Sequence, residues 1–454
     1  MMASIKFDHL YFSYKKDDYI VKNLNLTIPN GFSLLIGPTG CGKSTLLKLT
    51  AGLYPKYAGH TKGRVITSLS HAMMFQNADE QFTMATPRDE IIFALENLQL
   101  NQVEYEGRLK KAVTFTQISR MLDQKISTLS GGEKQRVALA VLVAMDVDLF
   151  LLDEPFASCD PEARKFLIEK LGQLRDQGKT IVISDHVFTD YTAVCDRVYE
   201  MKNKTITLLD DEEKDALFAA KPLKKVSFAL PNKIAQSLFS LNKTEIKQGR
   251  TLLMQEQLQL ESSKNVLITG PNGVGKTSFF KALTQMIPYS GSLCFHQNEI
   301  SKLKPRKYLR QVAQIFQAAD DQFLKVTVRE EIELSKKTRN SFFTDERIAA
   351  ALKKLQLDSH LDQIVYSLSG GQKKKLQILL MLLGQHEVLL IDEPLSGLDH
   401  ESIKQVIALM QESQKELHKS FLIISHQVAE LADLCDYHLV FEAQKLKYVS
   451  EVQA

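Results

Sequence analysis

The chain has few cysteines, a small net charge and no long uninterrupted hydrophobic run. Its five cysteines are scattered and form no C-x-x-C pair, which argues against a zinc site or a disulfide framework. Such cysteine usage is expected of a protein in the reducing cytoplasm. A net charge of +3 over 454 residues is too small to indicate nucleic-acid binding. The opening MMASIKFDHL lacks the apolar core of a secretory signal, so we expect none.

Two stretches, 138–152 and 376–391, are rich in apolar residues, but polar or charged side chains interrupt each of them. Neither reaches the roughly 18 uninterrupted apolar residues of a membrane span. Each therefore predicts a buried helix followed by a buried strand. If the protein works at a membrane, we expect it to be peripheral, with another chain crossing the bilayer.

One set of motifs appears twice, in the same order. The first copy reads GPTGCGKST, Gln76, LSGGEKQR, LFLLDEP and His186, and the second reads GPNGVGKTS, Gln317, LSGGQKKK, VLLIDEP and His426. The copies are shifted by 233 residues at the lysines Lys43 and Lys276, and by 239 to 241 residues at the other motifs. A period this long indicates a tandem duplication of whole domains. We expect domains at 1–210 and 229–454, joined by a linker at 211–228.

Short apolar runs with β-branched residues precede the functional motifs and predict the central strands of a parallel sheet. These runs are 32–36, 149–152, 180–183, 265–269, 388–391 and 420–424. Functional side chains are expected at the carboxyl ends of those strands.

Each copy has a G-x-x-x-x-G-K-[ST] loop between a predicted strand and a predicted helix, where backbone N–H groups surround phosphate oxygens. We expect Lys43 and Lys276 to reach the β- and γ-phosphates of ATP, and Ser44 and Thr277 to place a hydroxyl on Mg²⁺. Cys41 lies among these N–H groups, which we expect to lower its thiol pKa. The expected nucleotide-binding residues are Gly37, Pro38, Thr39, Gly40, Cys41, Gly42, Lys43, Ser44 and Thr45 in the first loop, and Gly270, Pro271, Asn272, Gly273, Val274, Gly275, Lys276, Thr277 and Ser278 in the second.

Asp153 and Asp392 each end a predicted strand, where a carboxylate suits a Mg²⁺ ligand. Glu154 and Glu393 follow directly and are placed to orient and polarise the attacking water. A single Asp-Glu pair after a strand would favour a helix cap. Its recurrence 24 residues beyond each LSGG serine favours catalysis instead.

A histidine follows the third central strand of each copy, His186 in ISDH and His426 in ISH. A lone histidine here would favour a structural role. Because it recurs 32 and 33 residues after the glutamates, we expect it to hydrogen-bond the γ-phosphate.

The segments LSGGE and LSGGQ, each upstream of a DEP strand, resemble the signature of ABC transporter nucleotide-binding subunits, and the resemblance covers both halves. It implies an α/β fold of two tandem P-loop (RecA-like) ABC ATPase domains, each with a parallel sheet core, an antiparallel β subdomain and a helical subdomain carrying the signature. It implies ATP and Mg²⁺ as cofactors, and two halves that pair within one polypeptide so that each signature caps the other half's nucleotide. The signature residues expected at ATP are Ser130, Gly131, Gly132, Ser369, Gly370 and Gly371.

The same resemblance adds Gln76 and Gln317 to the site. The implied catalytic set is Glu154, Glu393, His186, His426, Gln76 and Gln317, and the implied metal set is Ser44, Gln76, Asp153, Thr277, Gln317 and Asp392. Tyr14 is expected to stack on adenine, 23 residues before Gly37. The same offset before Gly270 reaches Lys247, so we expect weaker adenine binding in the second site.

A finer resemblance is to the energy-coupling factor (ECF) subfamily, whose ATPases drive import of vitamins and metal ions. It rests on the segments 75–82 and 316–323, each with two acids followed by Gln-Phe. It implies an ATPase at the cytoplasmic face of the cell membrane, a transmembrane scaffold (T-type) subunit and a small substrate-capture (S-type) membrane subunit. The expected docking residues are Asp79, Glu80, Asp320 and Asp321.

Two alternatives stay open at this point. A soluble tandem ABC ATPase acting on ribosomes would carry a long charged helical linker, for which the segment between His186 and Lys276 leaves little room. The ATPase of an ordinary ABC transporter differs only in lacking the paired acidic Gln-Phe segments.

Overall fold

Strands and helices are interspersed through both halves of the described chain, the pattern of an α/β fold. The structure, a computed structural model, describes residues 4–14, 18–75, 81–156, 159–188, 190–219, 225–232, 234 and 236–453. It divides into two units, Met1–Lys221 and Pro222–Ala454. Among the described residues, no helix has the length and apolar character needed to cross a bilayer.

The first unit contains nine strands and six α-helices in its described residues. The strands are β1 (Ser4–Ser13), β2 (Tyr19–Pro29), β3 (Phe32–Ile36), β4 (His60–Ile66), β5 (His71–Met74), β6 (Leu149–Asp153), β7 (Thr180–Ser184), β8 (Arg197–Lys202) and β9 (Thr205–Leu208). The helices are α1 (Lys43–Thr50), α2 (Pro87–Glu96), α3 (Gln102–Thr116), α4 (Gly131–Met145), α5 (Pro161–Asp176) and α6 (Asp211–Phe218).

The second unit repeats this order with small additions. Its strands are β10 (Lys225–Ser227), β11 (Ser237–Gln248), β12 (Arg250–Glu261), β13 (Val266–Thr269), β14 (Ser290–Phe295), β15 (Asn298–Glu299), β16 (Val312–Ile315), β17 (Val388–Asp392), β18 (Ser420–Ile424), β19 (Tyr437–Glu442), β20 (Lys445–Tyr448) and β21 (Glu451–Gln453). Its helices are α7 (Lys276–Leu283), α8 (Pro305–Tyr308), α9 (Val328–Lys336), α10 (Asp345–Lys354), α11 (Gly370–Leu383), α12 (His400–Leu417) and α13 (Val428–Leu431).

Each unit has a six-stranded main sheet, with the orders β5-β6-β7-β3-β8-β9 and β16-β17-β18-β13-β19-β20. Neighbouring strands pair in parallel except at the last strand, where β9 and β20 are antiparallel. The predicted central strands are therefore confirmed. Their carboxyl ends meet at one edge, where the phosphate loops and the DEP motifs lie.

Both faces of each main sheet are buried, which explains why its strands are apolar throughout. In the first unit Leu34 and Leu152 belong to one apolar cluster, whereas Leu35 and Leu151 belong to another. Successive side chains of a strand point to opposite faces, so alternate residues serve two cores. The second unit divides its strands between two clusters in the same way.

An antiparallel sheet packs on one face of each main sheet, with the orders β2-β1-β4 and β12-β11-β14-β15. In the first unit its residues Phe7 and Phe12 share a core with Leu47 of α1. The opposite face carries helices, including α4 and α11, which begin at the two signatures. The three predicted layers of each domain are thus present.

Helix α6 begins inside the stretch expected to be a linker. Asp210 caps it by accepting from the N–H of Glu213, and the Glu213 side chain accepts from the N–H of Asp210 in return. This capping box was a readable helix-start signal, D-x-x-E, in the sequence. The boundary between the units, at Lys221 and Pro222, follows this helix.

Candidate functional site

The first phosphate loop joins the end of β3 to the start of α1. Gly37 has φ 146°, and a Cβ added there would lie 2.3 Å from the carbonyl oxygen of Met201. Only glycine therefore allows the loop to pass so close to β8. The Nζ atom of Lys43 donates to the carbonyl oxygens of Gly37 at 2.9 Å and Pro38 at 3.2 Å, which holds the lysine over its own loop.

The second phosphate loop has the same construction between β13 and α7. Gly270 has φ 150°, and its absent Cβ would lie 2.3 Å from the carbonyl oxygen of Phe441. Lys276 Nζ donates to Gly270 at 2.6 Å and to Pro271 at 2.9 Å. Both loops thus precede a helix start, where backbone N–H groups favour an anion.

A hydroxyl lies beside a strand-end carboxylate in each unit. Thr277 Oγ1 donates to Asp392 Oδ2 at 2.7 Å, and Ser44 makes the matching hydrogen bond to Asp153. Burial raises the pKa of both aspartates, since water no longer stabilises the charge. Adjacent hydroxyl and carboxylate oxygens are the donors that Mg²⁺ prefers, so these four residues fit the ion.

The two candidate catalytic glutamates occupy strained backbone. Glu154 has φ 44° and Glu393 has φ 49°, values that are uncommon for any residue other than glycine. Their N–H groups donate to Ser184 at 3.0 Å and Ile424 at 2.9 Å, so the neighbouring strand holds each turn in place. Left-handed strain at matched positions in both units is typical of functional sites.

Each glutamate lies near the predicted histidine, but the two distances differ. His186 Nε2 is 2.9 Å from Glu154 Oε1, whereas His426 Nε2 is 3.7 Å from Glu393 Oε1. His426 Nε2 also lies 3.3 Å from Asn272 Oδ1 of its phosphate loop. In the second unit His426 therefore lies between Glu393 and the phosphate loop.

The Glu393 side chain is 15% exposed, and its partial removal from water raises its pKa to about 7, helped by the charge of Asp392 and opposed by Lys276. A carboxylate whose pKa approaches neutrality is a stronger base towards water than an exposed one. This electrostatic environment suits the expected role of Glu393.

A buried ion pair positions His186 in the first unit. Asp185 Oδ1 accepts from the N–H of His186 at 2.7 Å, and Asp185 Oδ2 accepts from Arg164 Nη1 at 2.8 Å and Tyr191 Oη at 2.7 Å. Sequence reasoning missed this cluster, because Arg164 lies 21 residues from Asp185. The only available signal was the extra aspartate in ISDH.

Gln76 lies outside the described residues, together with Asp79 and Glu80. Gln317 is described, and its backbone carbonyl accepts from Lys374 Nζ at 2.8 Å. Lys374 is 4% exposed, and burial lowers its pKa to about 8. Lys374 therefore connects the signature helix α11 to the loop that contains Gln317. The lysines of LSGGQKKK did not by themselves indicate this role.

The signature serines begin helices, as the motif predicts. Ser130 caps α4 with Glu133, and Ser369 caps α11 with Gln372. The four signature glycines form the first turns of these helices. Within each unit these residues make the helix start that an anion requires.

Tyr14 contacts the first phosphate loop helix through its hydroxyl, which lies 2.9 Å from Thr45 Oγ1. Its ring packs edge-on against Phe12 and Tyr54, and about half of the side chain stays exposed. An exposed aromatic ring beside the loop is consistent with stacking on a nucleobase.

The residue of the second unit that corresponds to Tyr14 is Gln248. The 23-residue offset used in the sequence analysis had indicated Lys247, which is wrong by one residue. Gln248 Oε1 accepts from Ser278 Oγ at 2.8 Å, matching the Tyr14 contact with Thr45. Lys247 is ion-paired with Glu245 at 2.9 Å. The one-residue difference arises because the turn between β11 and β12 is shorter than the turn between β1 and β2, and a longer connection from β12 to β13 only partly makes up for it.

Beside Gln248 a cleft of about 450 Å³ opens next to the second phosphate loop. Its lining residues are Arg250, Thr251, Leu252, Val274, Ala443 and Gln444. Arg250 Nη2 donates to the carbonyl oxygen of Gly273 at 2.6 Å. Gln248 and Arg250 therefore contact the second phosphate loop and its helix, where the first unit has the Tyr14 ring.

Cys41 is partly buried in the first loop, and desolvation raises its thiol pKa. The expectation of a lowered pKa was wrong, because loss of water outweighs the nearby charge of Lys43.

Known proteins resemble this chain in both sequence and fold. The ABC transporter family model matches residues 21–157 and 253–396, more than half of the chain. A Bacillus subtilis (strain 168) protein named as an HMP/thiamine import ATP-binding protein, YkoD, is 27% identical over 97% of this chain and 90% of its own length. A Treponema denticola protein named as an ABC transporter ATP-binding protein is 29% identical over 93% of this chain and 92% of its own.

Solved structures share the fold at low identity. The archaeal ribosome recycling factor aABCE1, in complex with the stalk protein aP1, has a TM-score of 0.61 at 20% identity, covering 98% of this chain and 90% of its own. ABCE1 in a ribosome-bound structure with Pelota has a TM-score of 0.70 at 19% identity, covering 98% and 78%. The chain belongs to the ABC transporter family as an ATP-binding ATPase with two fused nucleotide-binding domains.

Proposed function

We propose that this ATPase is the energy-coupling subunit of an ECF-type ABC importer, powering uptake of a vitamin or other micronutrient through separate membrane subunits. The observation that carries the proposal is the near full-length alignment with YkoD, a relative named for HMP/thiamine import. The paired acidic Gln-Phe segments add support from the chain itself. On this proposal the chain acts at the cytoplasmic face of the cell membrane.

The site chemistry follows from the geometry of each unit. Lys276 and the N–H groups of its loop would hold the phosphates, while Thr277 and Asp392 would hold Mg²⁺. Bound Mg²⁺ would supply positive charge that neutralises the phosphate oxygens. Glu393 would orient the attacking water and accept its proton, and His426 would donate a hydrogen bond to the γ-phosphate.

The first site would use the same chemical groups, but different contacts would hold its glutamate and histidine. Lys43 would hold the phosphates, and Glu154 would accept the proton of the attacking water. His186 would keep Glu154 in place through the 2.9 Å contact. The pairing of the two halves over nucleotide stays a prediction of the family resemblance.

In the second docking segment the two acids have different environments. Asp320 is ion-paired with Lys373 of the signature helix at 2.8 Å, whereas Asp321 is exposed. Asp320 therefore contributes mainly to the attachment of this segment, and Asp321 is the carboxylate that can meet a partner's basic side chain. We propose docking of the scaffold subunit at this segment, and at Asp79 and Glu80 in the first half.

Affinity purification of the tagged chain from its native membranes, in mild detergent, tests the proposal. We expect two small polytopic membrane proteins in stoichiometric amounts, one of them with basic cytoplasmic helices. Recovery with ribosomes, or with no membrane protein, would contradict the importer. The likeness to ABCE1 supports only the fold at 20% identity, so it does not favour a ribosomal role.

A further inference from the structure

A buried lysine of the second signature helix lies near the metal-binding end of the second main sheet. Lys374, in α11, is 4% exposed. Its Nζ atom donates to the carbonyl oxygens of Gln317 at 2.8 Å and Phe316 at 3.4 Å. A lysine is almost never buried to this degree unless a negative charge compensates its own. The two carbonyl groups are neutral, so the compensating charge comes from another group.

The register of the main sheet shows which group this is. Ile315, the last residue of β16, pairs with Ile391 of β17, so Phe316 follows at the level of Asp392. Neighbouring strands of a sheet lie about 4.8 Å apart. The carbonyl groups that hold the Lys374 ammonium therefore lie one strand away from the backbone of Asp392, the carboxylate expected at Mg²⁺.

The electrostatics of both side chains agree with this placement. Burial raises the pKa of Asp392, and the charge of Lys374 opposes that rise more than Lys276 or Lys281 does. Burial lowers the pKa of Lys374 to about 8, and the charges of Asp392 and Glu393 oppose that change. At pH 7 Lys374 is therefore a cation, and its positive charge acts on the carboxylate of the metal site.

The first half has a neutral side chain at the same point of the repeat. Gln135 lies 239 residues before Lys374, the shift that also relates the two signature serines, and it is 2% exposed. The lysines of the phosphate loops and of the helices after them occur in both halves. The buried lysine of α11 therefore distinguishes the second metal site from the first.

We infer that Lys374 is a fixed cation that reduces the dependence of the second site on Mg²⁺ for nucleotide binding. A positive charge stabilises metal-free ATP more than Mg-ATP, because bound Mg²⁺ cancels part of the negative charge of the phosphates. The same charge repels an incoming Mg²⁺ ion. Mg²⁺ should therefore strengthen nucleotide binding less in the second site than in the first. The inference requires ATP binding by this family and is independent of the proposed import function.

Equilibrium nucleotide binding in EDTA and in saturating Mg²⁺ tests the inference. The probe is a fluorescent ATP analogue, and the protein is the full chain carrying Lys43→Ala, which leaves the second site. The measured quantity is the ratio of the dissociation constant in EDTA to the dissociation constant in Mg²⁺. A substitution that only damages the fold weakens binding in both conditions and leaves this ratio unchanged.

The repeat supplies the matched variant. Lys374→Gln introduces the residue of the first half, which keeps a side-chain N–H donor and removes the charge. We expect the ratio to rise about three- to tenfold, mainly through weaker binding in EDTA. Gln135→Lys, in the full chain carrying Lys276→Ala, is the reciprocal change and should lower the ratio of the first site by a similar factor.

Two further variants separate the charge of Lys374 from its hydrogen bond to Gln317. Lys374→Met removes both and should raise the ratio as far as Lys374→Gln does, whereas Lys374→Arg keeps the charge and should keep the parent ratio. A parent ratio in Lys374→Gln, with or without a rise in Lys374→Met, would show that the lysine is only a tether and would overturn the inference. An equal rise in Lys374→Arg and Lys374→Gln would also overturn it, because the charge would then have no effect.

Discussion

The two halves carry the same catalytic motifs on different supports. In the first half a buried cluster of Arg164, Asp185 and Tyr191 holds the backbone of His186. The corresponding residues of the second half are Ile403, Ser425 and Leu431, which cannot form that cluster. The glutamate–histidine distance changes with it, from 2.9 Å to 3.7 Å. Repetition of a motif therefore preserves the reacting groups without preserving what fixes their positions.

The second half has contacts of its own at two other positions. Lys374 holds the Gln317 carbonyl at 2.8 Å, where the first half has Gln135 at the matching position. Gln248 and Arg250 stand beside the second loop, where the first has Tyr14. We propose that both sites hydrolyse ATP and that they hold the nucleotide unequally.

The largest expected effect comes from the two glutamates. Glu154→Gln and Glu393→Gln remove the group that accepts the proton of water, so each should lower turnover at its own site by about 10²- to 10⁴-fold. Single-turnover assays of each variant measure the contribution of the remaining site. A glutamine variant with the parent rate would show that its site does not turn over.

The buried cluster of the first half should matter for both stability and rate. Asp185→Ser leaves Arg164, whose side chain is 8% exposed, without its closest carboxylate, and should cost about 3 kcal/mol of unfolding free energy. The urea midpoint and the ATPase rate measure the two effects.

The second half supplies the control for this change. Asp185→Ser combined with Arg164→Ile and Tyr191→Leu reproduces the second-half residues and should recover most of the stability, because no charge stays buried. An equal loss in the single and triple variants would show that packing, not charge, dominates at this position.

His438 should make the second half sensitive to acid. It is fully buried, and burial lowers its pKa to about 4, so below about pH 6.5 the unfolded chain binds a proton that the folded chain excludes. Stability should therefore fall as the pH drops from 6.5 towards 4, by on the order of 2 kcal/mol. Urea unfolding across this range measures it.

His438→Val introduces the residue that the first half has at the same position, Val198. The variant should lose less stability than the parent chain between pH 6.5 and 4. A parallel loss in both proteins would assign the acid sensitivity to other groups.

The smallest expected effect concerns the nucleobase. Tyr14→Gln gives the first site the residue of the second, and should weaken ATP binding there about tenfold, since stacking on a base is worth roughly 1–3 kcal/mol. Gln248→Tyr is the reciprocal change and should strengthen the second site. Titration with a fluorescent ATP analogue checks both, and unchanged affinity in Tyr14→Gln would remove Tyr14 from the site.

The sequence predicted what is local and missed what is brought together by folding. The phosphate loops, Asp392 and Glu393 are recognisable because each motif combines a strand, a loop and a helix start within a few residues. The pairing of Asp320 with Lys373 joins residues 53 positions apart, and the buried Lys374 donates to the Gln317 carbonyl 57 positions away. Such contacts follow from the tertiary fold and leave no pattern in the local sequence.

The register of the second hairpin shows a second limit. A fixed offset from the phosphate loop made Lys247 the predicted equivalent of Tyr14. The second unit has one residue fewer between this position and its phosphate loop, so the true equivalent is Gln248. Successive side chains of a strand point to opposite faces of the sheet. A one-residue error therefore selects Lys247, which is ion-paired on the surface, instead of Gln248, which contacts the phosphate-loop helix.

The most direct test of unequal sites is equilibrium ATP binding by the full chain with one phosphate-loop lysine removed. Lys276→Ala leaves the first site, with Tyr14, and Lys43→Ala leaves the second, with Gln248. We predict that the Lys276→Ala chain retains the tighter ATP site. Equal residual affinities in the two variants, or tighter binding in Lys43→Ala, would contradict the account.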